Sequence, residues 1–209
     1  MVRVAAVIPA YNEEATIGAV IDAVRRVSCV DEVVVVSDGS HDETARVARR
    51  HGALVIELHA NVGKGGALKA GIERADADVY VFLDADLIGL TPDHVLMLVE
   101  PVLQGRAAMT VGRFSGGRVA TDLAQVVAPY LSGQRAVRRE VLAGIPNLEV
   151  ARFGVEMALT RHIQRLRIPV EEVLLVGLTH RTKEEKLGLL PGFLARMREY
   201  WDIIRSTVD

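Results

Sequence analysis

The stretch Val79-Tyr80-Val81-Phe82-Leu83-Asp84-Ala85-Asp86 decides the fold of this 209-residue chain. Its β-branched and aromatic run predicts a strand buried on both faces, and the run ends in two carboxylates. Because burying unpaired carboxylates is costly, we expect Asp84 and Asp86 just past the strand end, where ligands collect in an open α/β sheet. A divalent cation that also binds substrate phosphates uses such oxygens. The alternative is a strand-end turn in which aspartate accepts backbone N–H bonds, and the paired carboxylates favour the cation.

The composition is that of an ordinary globular protein. Half of the residues are hydrophobic, a quarter are charged and the net charge is -2, so the chain has no general attraction to nucleic acid. The single cysteine, Cys29, excludes a disulfide framework and a cysteine-based metal site. The first residues show no signal-peptide pattern, and no apolar run approaches the length of a bilayer span. We therefore expect a cytoplasmic protein with no nucleic-acid partner and no transmembrane segment.

Strands and helices alternate over short loops through the first half of the chain. Apolar runs predict strands at residues 3–8, 33–36 and 53–58, before the strand that ends at Asp84. Amphipathic patterns predict helices at residues 13–27, 42–50 and 67–75. This alternation predicts a single α/β domain with a mostly parallel, Rossmann-like sheet and helices on both faces. It also places the loops that follow the four strands on one edge of the sheet.

The second half has weaker signals. We expect a helix at 92–103, a short strand at 107–112, a mobile connection at 114–119, a helix at 122–143 broken at Pro129, a helix at 153–165, a strand at 170–179 and a charged loop at 180–186. A last amphipathic helix is predicted at 189–208. We expect its apolar stripe to pack on the domain core or on a second copy of the chain, as in a homodimer. Peripheral membrane contact is the alternative.

Two common nucleotide-binding motifs are absent. A dehydrogenase would carry glycines spaced G-x-G-x-x-G after the first strand, where this chain has Pro9-Ala10-Tyr11-Asn12-Glu13. A P-loop would carry serine or threonine after Gly63-Lys64, which two glycines follow here. A sugar-activating nucleotidyltransferase would be expected to have a first loop rich in glycine and arginine, which is also absent. What remains is a site of loop carboxylates, a loop lysine and a divalent cation.

Four segments in order, residues 8–14, 38–44, 61–67 and 83–86, resemble the family 2 glycosyltransferases, which have the GT-A fold. The resemblance implies transfer of a sugar from a UDP- or GDP-sugar, with Mn²⁺ or Mg²⁺ held by the D-x-D motif of Asp84 and Asp86. It also implies a catalytic role for Asp86, through the cation. Two alternative functions remain: a sugar-phosphate nucleotidyltransferase, and a protein that binds a nucleotide sugar without catalysing its transfer.

The same resemblance suggests how the donor is bound. It implies that Asp38 accepts N–H bonds from the base, with a simple turn as the alternative. It places Pro9, Tyr11 and Glu13 along the base and ribose, although Glu13 would also suit the first turn of a helix. Lys64 lies in a glycine-rich loop at a helix start, where backbone N–H groups and a cation meet a phosphate or the base edge. A solvated surface lysine is the alternative for Lys64.

The segment at residues 132–142 resembles the one that follows the site in polyprenyl-phosphate sugar transferases and glucosyl-3-phosphoglycerate synthases. Arg135, with Arg138 and Arg139, is therefore a candidate for binding an anionic, phosphorylated acceptor, because guanidinium matches phosphate geometry. A solvated helix face is the alternative for the last two. The resemblance also places Glu156 near the acceptor, where an inverting enzyme would need a general base.

The step His180-Arg181 resembles the histidine-arginine step of the same two families, which implies that His180 is a third metal ligand. The alternatives for His180 are a hydrogen bond to the diphosphate and a loop cap.

The predicted organisation is a glycosyltransferase domain at 1–188, with a nucleotide-sugar-binding half at 1–112 and an acceptor half at 113–188. The C-terminal helix occupies 189–209.

Overall fold

The structure, a computed structural model, describes residues 1–115, 132–145 and 155–181. The chain divides into two compact units, Met1–Thr179 and His180–Asp209, and only His180 and Arg181 are described in the second. Among the helices of the described ranges, none has both the length and the apolar composition that a membrane crossing requires. The predicted helix at 189–208 lies outside the described residues.

A seven-stranded sheet forms the centre of the first unit. Its strands are β1 (Val4–Ala10), β2 (Glu32–Asp38), β3 (Leu54–Leu58), β4 (Val79–Phe82), β6 (Met109–Ser115), β7 (Arg135–Arg138) and β8 (Val170–Val176), in the spatial order β3-β2-β1-β4-β7-β6-β8. Only β7 runs antiparallel to its two neighbours, so the prediction of a mostly parallel sheet is confirmed. A second, two-stranded sheet pairs β5 (Leu87–Ile88) with β9 (Thr179–His180).

Helices cover both faces of the main sheet, as predicted. They are α1 (Ile17–Arg25), α2 (Thr44–Arg50), α3 (Lys64–Arg74), α4 (Pro92–Leu103), α5 (Arg139–Ala143) and α6 (Val155–Leu166). Strand β1 shows why two cores form, since its alternate side chains point to opposite faces. Val4, Ala6 and Ile8 join a core cluster with residues of α1 and α4, while Ala5 and Val7 join a second cluster with residues of α3 and α6.

Strands β1 and β2 both continue further than the sequence predicts, to Ala10 and Asp38, and these added residues line the site. Strand β1 continues through Pro9 to Ala10, which lies opposite Ser37 of β2. The carbonyl of Val7 accepts a hydrogen bond from the backbone N–H of Leu83, so it faces β4. The backbone groups of Pro9 lie two positions further along and face the same side, but beyond the last residue of β4. The missing N–H of Pro9 therefore breaks no hydrogen bond to β4. Helix α1 begins later than predicted, because residues 13–16 form a turn in which Glu13 accepts from Thr16 and Ile17.

Within the described residues, the predicted helix at 122–143 is wrong at residues 132–138 and correct at residues 139–143. Residues Arg135–Arg138 form strand β7 between β4 and β6, and the helix α5 covers only Arg139–Ala143. The physical reason is tertiary pairing, since Ala136 and Val137 are fully buried on opposite faces of the sheet. Residues 116–131 lie outside the described residues, and Phe114 and Ser115 of the predicted mobile connection end β6 instead. The predicted strand at 170–179 is interrupted at Gly177, whose φ is +79°.

Asp42 joins the loop after β2 to the turn before α1. Its carboxylate accepts the backbone N–H groups of Thr44 and Glu14 at 3.0 and 3.2 Å, together with the Thr44 hydroxyl. Burial raises the pKa of Asp42, but these hydrogen bonds outweigh burial, so the pKa lies below its ordinary value. A lowered folded-state pKa means that the stabilisation is present above the unfolded pKa of about 3.9 and is lost as the pH falls through the folded pKa.

We therefore expect Asp42→Asn to lower the free energy of unfolding by about 1 kcal/mol at pH 7, because an amide accepts fewer of these bonds. The difference from the wild type should begin to shrink below pH ~4, where Asp42 of the unfolded chain becomes neutral, and should vanish below the lower folded-state pKa. Urea unfolding of both proteins at pH 7 and pH 3 measures it. Equal differences at the two pH values would contradict the role of the ionised carboxylate.

Candidate active site

A cleft of about 570 Å³ opens where β1, β2 and β4 end. Its lining includes all the residues that the sequence suggested for donor binding, and both aspartates of the D-x-D motif: Pro9, Tyr11, Glu13, Asp38, Lys64, Asp84 and Asp86. These strands are neighbours and parallel, so their carboxyl ends meet at one edge of the sheet. The structure thus brings these residues together, and the role of each one in the cleft stays a prediction.

The two aspartates owe their direction to the residues between them. Leu83, Ala85 and Leu87 are at most 2 % exposed and belong to one core cluster. Their burial turns the intervening Asp84 and Asp86 toward the cleft, where both side chains are partly exposed. The pattern that ends the strand therefore also aims two carboxylates at one space.

Asp38 holds the glycine-rich loop in place. Its side chain is buried, and its two carboxylate oxygens accept the backbone N–H groups of Val62 and Gly63 at 2.8 and 2.9 Å. The next residue, Gly39, has a φ of +68°, and a Cβ there would lie 2.6 Å from the backbone nitrogen of Asn61. The close approach explains the glycine. The sequence did not predict this role of Asp38, whereas its contact with a base stays a prediction.

Lys64 is the first residue of α3 and forms an ion pair inside the cleft. Its ammonium nitrogen lies 2.6 Å from Oδ1 of Asp84, and the two side chains are only 28 % and 19 % exposed. The alternative of a solvated surface lysine is therefore wrong. At the same helix end, the first backbone N–H groups of α3 lack partners within the helix, which makes the end suitable for an anion. Lys64 and the start of α3 thus present positive charge to one part of the cleft.

The turn at residues 132–134 completes the surroundings of Asp84. The side-chain amide of Gln134 donates to Oδ2 of Asp84 at 2.8 Å, and the hydroxyl of Ser132 donates to Oε1 of Gln134 at 3.0 Å. A Cβ on Gly133 would lie 2.6 Å from Nζ of Lys64 and 2.7 Å from Oδ2 of Asp84. Sequence reasoning missed these three residues. The sequence signal that could have indicated them is a turn of small residues just before β7. Because β7 runs antiparallel to β4, this turn lies next to the carboxyl end of β4.

The arginines of this segment are placed differently from the prediction. Arg138 lies opposite Val79 at the start of β4, the end away from Asp84, and Arg139 donates to the Ala77 carbonyl. The structure therefore removes these two from an acceptor site in the cleft. Arg135 lies opposite Phe82, at the end of β7 that is near Asp84. It is only 1 % exposed, and its Nε donates to the Ser132 carbonyl at 2.9 Å. Its contact with an acceptor stays a prediction.

The structure describes the side chain of Glu13 but not that of Glu156, the two glutamates predicted for the site. Glu13 lies four residues before the start of α1, so it is not a first-turn helix charge. Its side chain is buried in the wall of the cleft, 3.5 Å from the Thr16 hydroxyl. Glu156 belongs to α6, but its side chain lies outside the described residues, and its role as a general base stays a prediction.

Asp84, Asp86 and His180 form a candidate metal centre. Each offers one ligand atom, and these atoms all lie within 4.8 Å of one another. Carboxylate oxygens suit both Mg²⁺ and Mn²⁺, whereas an imidazole nitrogen suits Mn²⁺ better than Mg²⁺. The donor set therefore fits a divalent cation, and Mn²⁺ best. Whether all three residues bind it stays a prediction.

The model of the family described as glycosyl transferase family 2 matches residues 5–147. The chain belongs to glycosyl transferase family 2. This matched region contains the whole cleft, from Pro9 to Asp86, and the turn at 132–134. The resemblance on which the sequence interpretation relied is thus confirmed.

Two relatives show what the chain is similar to. Glucosyl-3-phosphoglycerate synthase from Mycobacterium tuberculosis is 34% identical over 195 residues, which cover 75% of this chain and 59% of the relative. An undecaprenyl-phosphate 4-deoxy-4-formamido-L-arabinose transferase from Aeromonas hydrophila is 37% identical over 112 residues, which cover 49% of this chain and 34% of the relative. The chain thus spans about three-fifths of the length of the synthases it matches.

A solved structure supports the fold. Glucosyl-3-phosphoglycerate synthase from Mycobacterium tuberculosis, in complex with Mn²⁺, uridine diphosphate and glucosyl-3-phosphoglycerate, superposes with a TM-score of 0.73 at 33% identity. The alignment covers 86% of this chain and 72% of that one. The predicted GT-A fold is therefore confirmed.

Proposed function

We propose that this chain transfers a sugar from a UDP-sugar to a hydroxyl of a small phosphorylated acceptor, with Mn²⁺ or Mg²⁺ as cofactor. The observation that carries the proposal is the cleft at the ends of β1, β2 and β4, where a lysine, two aspartates and a helix N-terminus surround one space. The synthase from Mycobacterium tuberculosis, which superposes on this chain, binds Mn²⁺ and uridine diphosphate. That likeness favours UDP over GDP.

Different residues of the cleft would bind the base and the diphosphate of the donor. Tyr11, which is 44 % exposed, and Pro9 offer an apolar wall for the base, and Asp38 offers acceptor oxygens for its N–H groups. Lys64 and the N-terminus of α3 would bind the diphosphate. Charge on the diphosphate increases as the bond to the sugar breaks, so fixed positive charge there stabilises the transition state.

The cation would be held by Asp86 and His180, with Asp84 as the third protein ligand. When bound, it supplies a Lewis acid that offsets the charge of the departing diphosphate. We keep Asp84 in the set although its two oxygens already accept from Lys64 and Gln134, because each carboxylate oxygen has a second lone pair.

We propose a phosphorylated acceptor because the synthase relatives form glucosyl-3-phosphoglycerate, as the complex with that product indicates. The polyprenyl-phosphate relative covers less of this chain, so a soluble phosphate ester is favoured over a lipid phosphate. Arg135, whose Nε donates to the Ser132 carbonyl, would hold the turn at 132–134 in place for the acceptor. Glu156 is the candidate general base if the reaction inverts the sugar configuration. A cytoplasmic location and a homodimer stay predictions.

A transfer assay tests the proposal. The protein is incubated with UDP-glucose or GDP-glucose and Mn²⁺, with 3-phosphoglycerate or with vesicles containing undecaprenyl phosphate, and the products are identified by mass spectrometry. We expect UDP release that depends on Mn²⁺ and on 3-phosphoglycerate, with a glycosylated product. Pyrophosphate release from UTP and glucose 1-phosphate would instead support a nucleotidyltransferase. Tight UDP binding without transfer or donor hydrolysis would support a binding protein without turnover.

A further inference from the structure

We propose that Gln134 is a positioning residue that fixes the Asp84 carboxylate for the metal and the donor. The inference rests on the proposed function and deepens it, because it adds the turn before β7 to the cleft that residues at the ends of β1, β2, β3 and β4 line. Nothing in the four motifs of the first half of the chain points to this residue.

The orientation of the Gln134 amide follows from its partners. The Ser132 hydroxyl oxygen accepts the backbone N–H of Gln134 at 3.3 Å, so its own proton is free to donate to Oε1 of Gln134. The carboxylate of Asp84, which pairs with Lys64, can only accept, so the amide atom that faces it is Nε2, and Oε1 is the acceptor toward Ser132. The backbone is anchored too, because the Gln134 carbonyl accepts the N–H of Gly112 in β6 at 2.8 Å.

Burial makes these bonds important. Gln134 is 0 % exposed, and a buried amide costs free energy unless both of its ends are hydrogen-bonded. An apolar side chain of the same length would fill the space without that cost. The amide is explained if it serves Asp84, whose side chain is only 19 % exposed and has lost most of its water.

Lys64 and Gln134, which both contact Asp84, differ in charge. Lys64 is a cation beside Oδ1, whereas Gln134 is a neutral donor to Oδ2. A second cation at position 134 would add positive charge where a divalent cation is to bind. The neutral amide orients the carboxylate without cancelling more of its charge. Groups that orient a metal ligand in this way typically change metal affinity by about 10-fold to 100-fold when they are removed.

The test uses the full chain with Gln134→Met, Ser132→Ala and the control Thr110→Val. Thr110 is also fully buried. Its hydroxyl donates to the Leu98 carbonyl and accepts the N–H of Ala136, two residues after Gln134, and neither bond involves Asp84. Mn²⁺ affinity is measured by electron paramagnetic resonance without nucleotide, UDP affinity by calorimetry in Mn²⁺ and in EDTA, and stability by urea unfolding.

We expect Gln134→Met to weaken Mn²⁺ binding about 10-fold. The gain in UDP affinity that Mn²⁺ gives should fall by a similar factor, whereas UDP affinity in EDTA should change little. Ser132→Ala should weaken Mn²⁺ binding by a smaller factor, because the amide can then rotate. Thr110→Val should lose stability but keep the wild-type affinities in its folded fraction.

Wild-type Mn²⁺ affinity in folded Gln134→Met would overturn the inference, and so would a loss no larger than that of Thr110→Val at equal stability. If Gln134→Met does not fold, wild-type affinity in Ser132→Ala overturns it. A wild type that binds Mn²⁺ but not UDP rejects the proposed function and leaves the comparison of Mn²⁺ affinities intact. A wild type that binds neither rejects both.

Discussion

Asp86→Asn is expected to abolish the gain in UDP affinity that Mn²⁺ gives and to lower the rate of sugar transfer by roughly 10³-fold. The substitution keeps the size of the side chain and removes its charge. Asp86 lines the cleft and offers a ligand atom within 4.8 Å of those of Asp84 and His180. Asp86 thus adds a second carboxylate to the cleft, next to the Asp84 carboxylate that pairs with Lys64.

Calorimetry of UDP binding in Mn²⁺ and in EDTA measures the effect, with Asp93→Asn as the matched control. Asp93 is an exposed aspartate in the first turn of α4, so its substitution makes the same change of charge outside the cleft. The control should keep the difference between Mn²⁺ and EDTA. An Asp86→Asn protein that also kept it would remove Asp86 from the metal centre.

The first half of the site could be predicted because short-range patterns determine it. The buried run before Asp84 predicts a strand, and the alternation of Leu83, Ala85 and Leu87 aims the two aspartates at the cleft. Parallel neighbours then bring the loops after β1 and β2 to the same edge. Each of these steps depends on residues close in sequence or on a general rule of sheet topology.

The turn at 132–134 could not be predicted in the same way. The segment Arg135-Ala136-Val137-Arg138 suits a helix about as well as a strand, and its pairing between β4 and β6 is a tertiary effect. A helix over this segment gives Gln134 no relation to Asp84. The role of Asp38 was missed for a similar reason, because its bonds to Val62 and Gly63 join residues 24 and 25 positions apart.

Gly133→Ala is expected to damage the site although it adds only one methyl group. A methyl group there would lie 2.6 Å from Nζ of Lys64 and 2.7 Å and 2.8 Å from the two carboxylate oxygens of Asp84, so the ion pair has to move. Misplacing a site group by about 1 Å costs on the order of 10²-fold in rate, and we expect a loss of that size in transfer and in Mn²⁺-dependent UDP affinity. Overpacking should cost about 1–3 kcal/mol of stability as well.

Gly71→Ala separates the two effects. A methyl group on Gly71, in the interior of α3, would lie 2.3 Å from a methyl group of Val7, so this variant is also overpacked but leaves Lys64 and Asp84 untouched. Urea unfolding should show comparable losses of stability in the two variants, while only Gly133→Ala should lose Mn²⁺-dependent UDP affinity in its folded fraction. Equal affinities would mean that the Lys64–Asp84 pair tolerates displacement, and that its arrangement contributes little to donor binding.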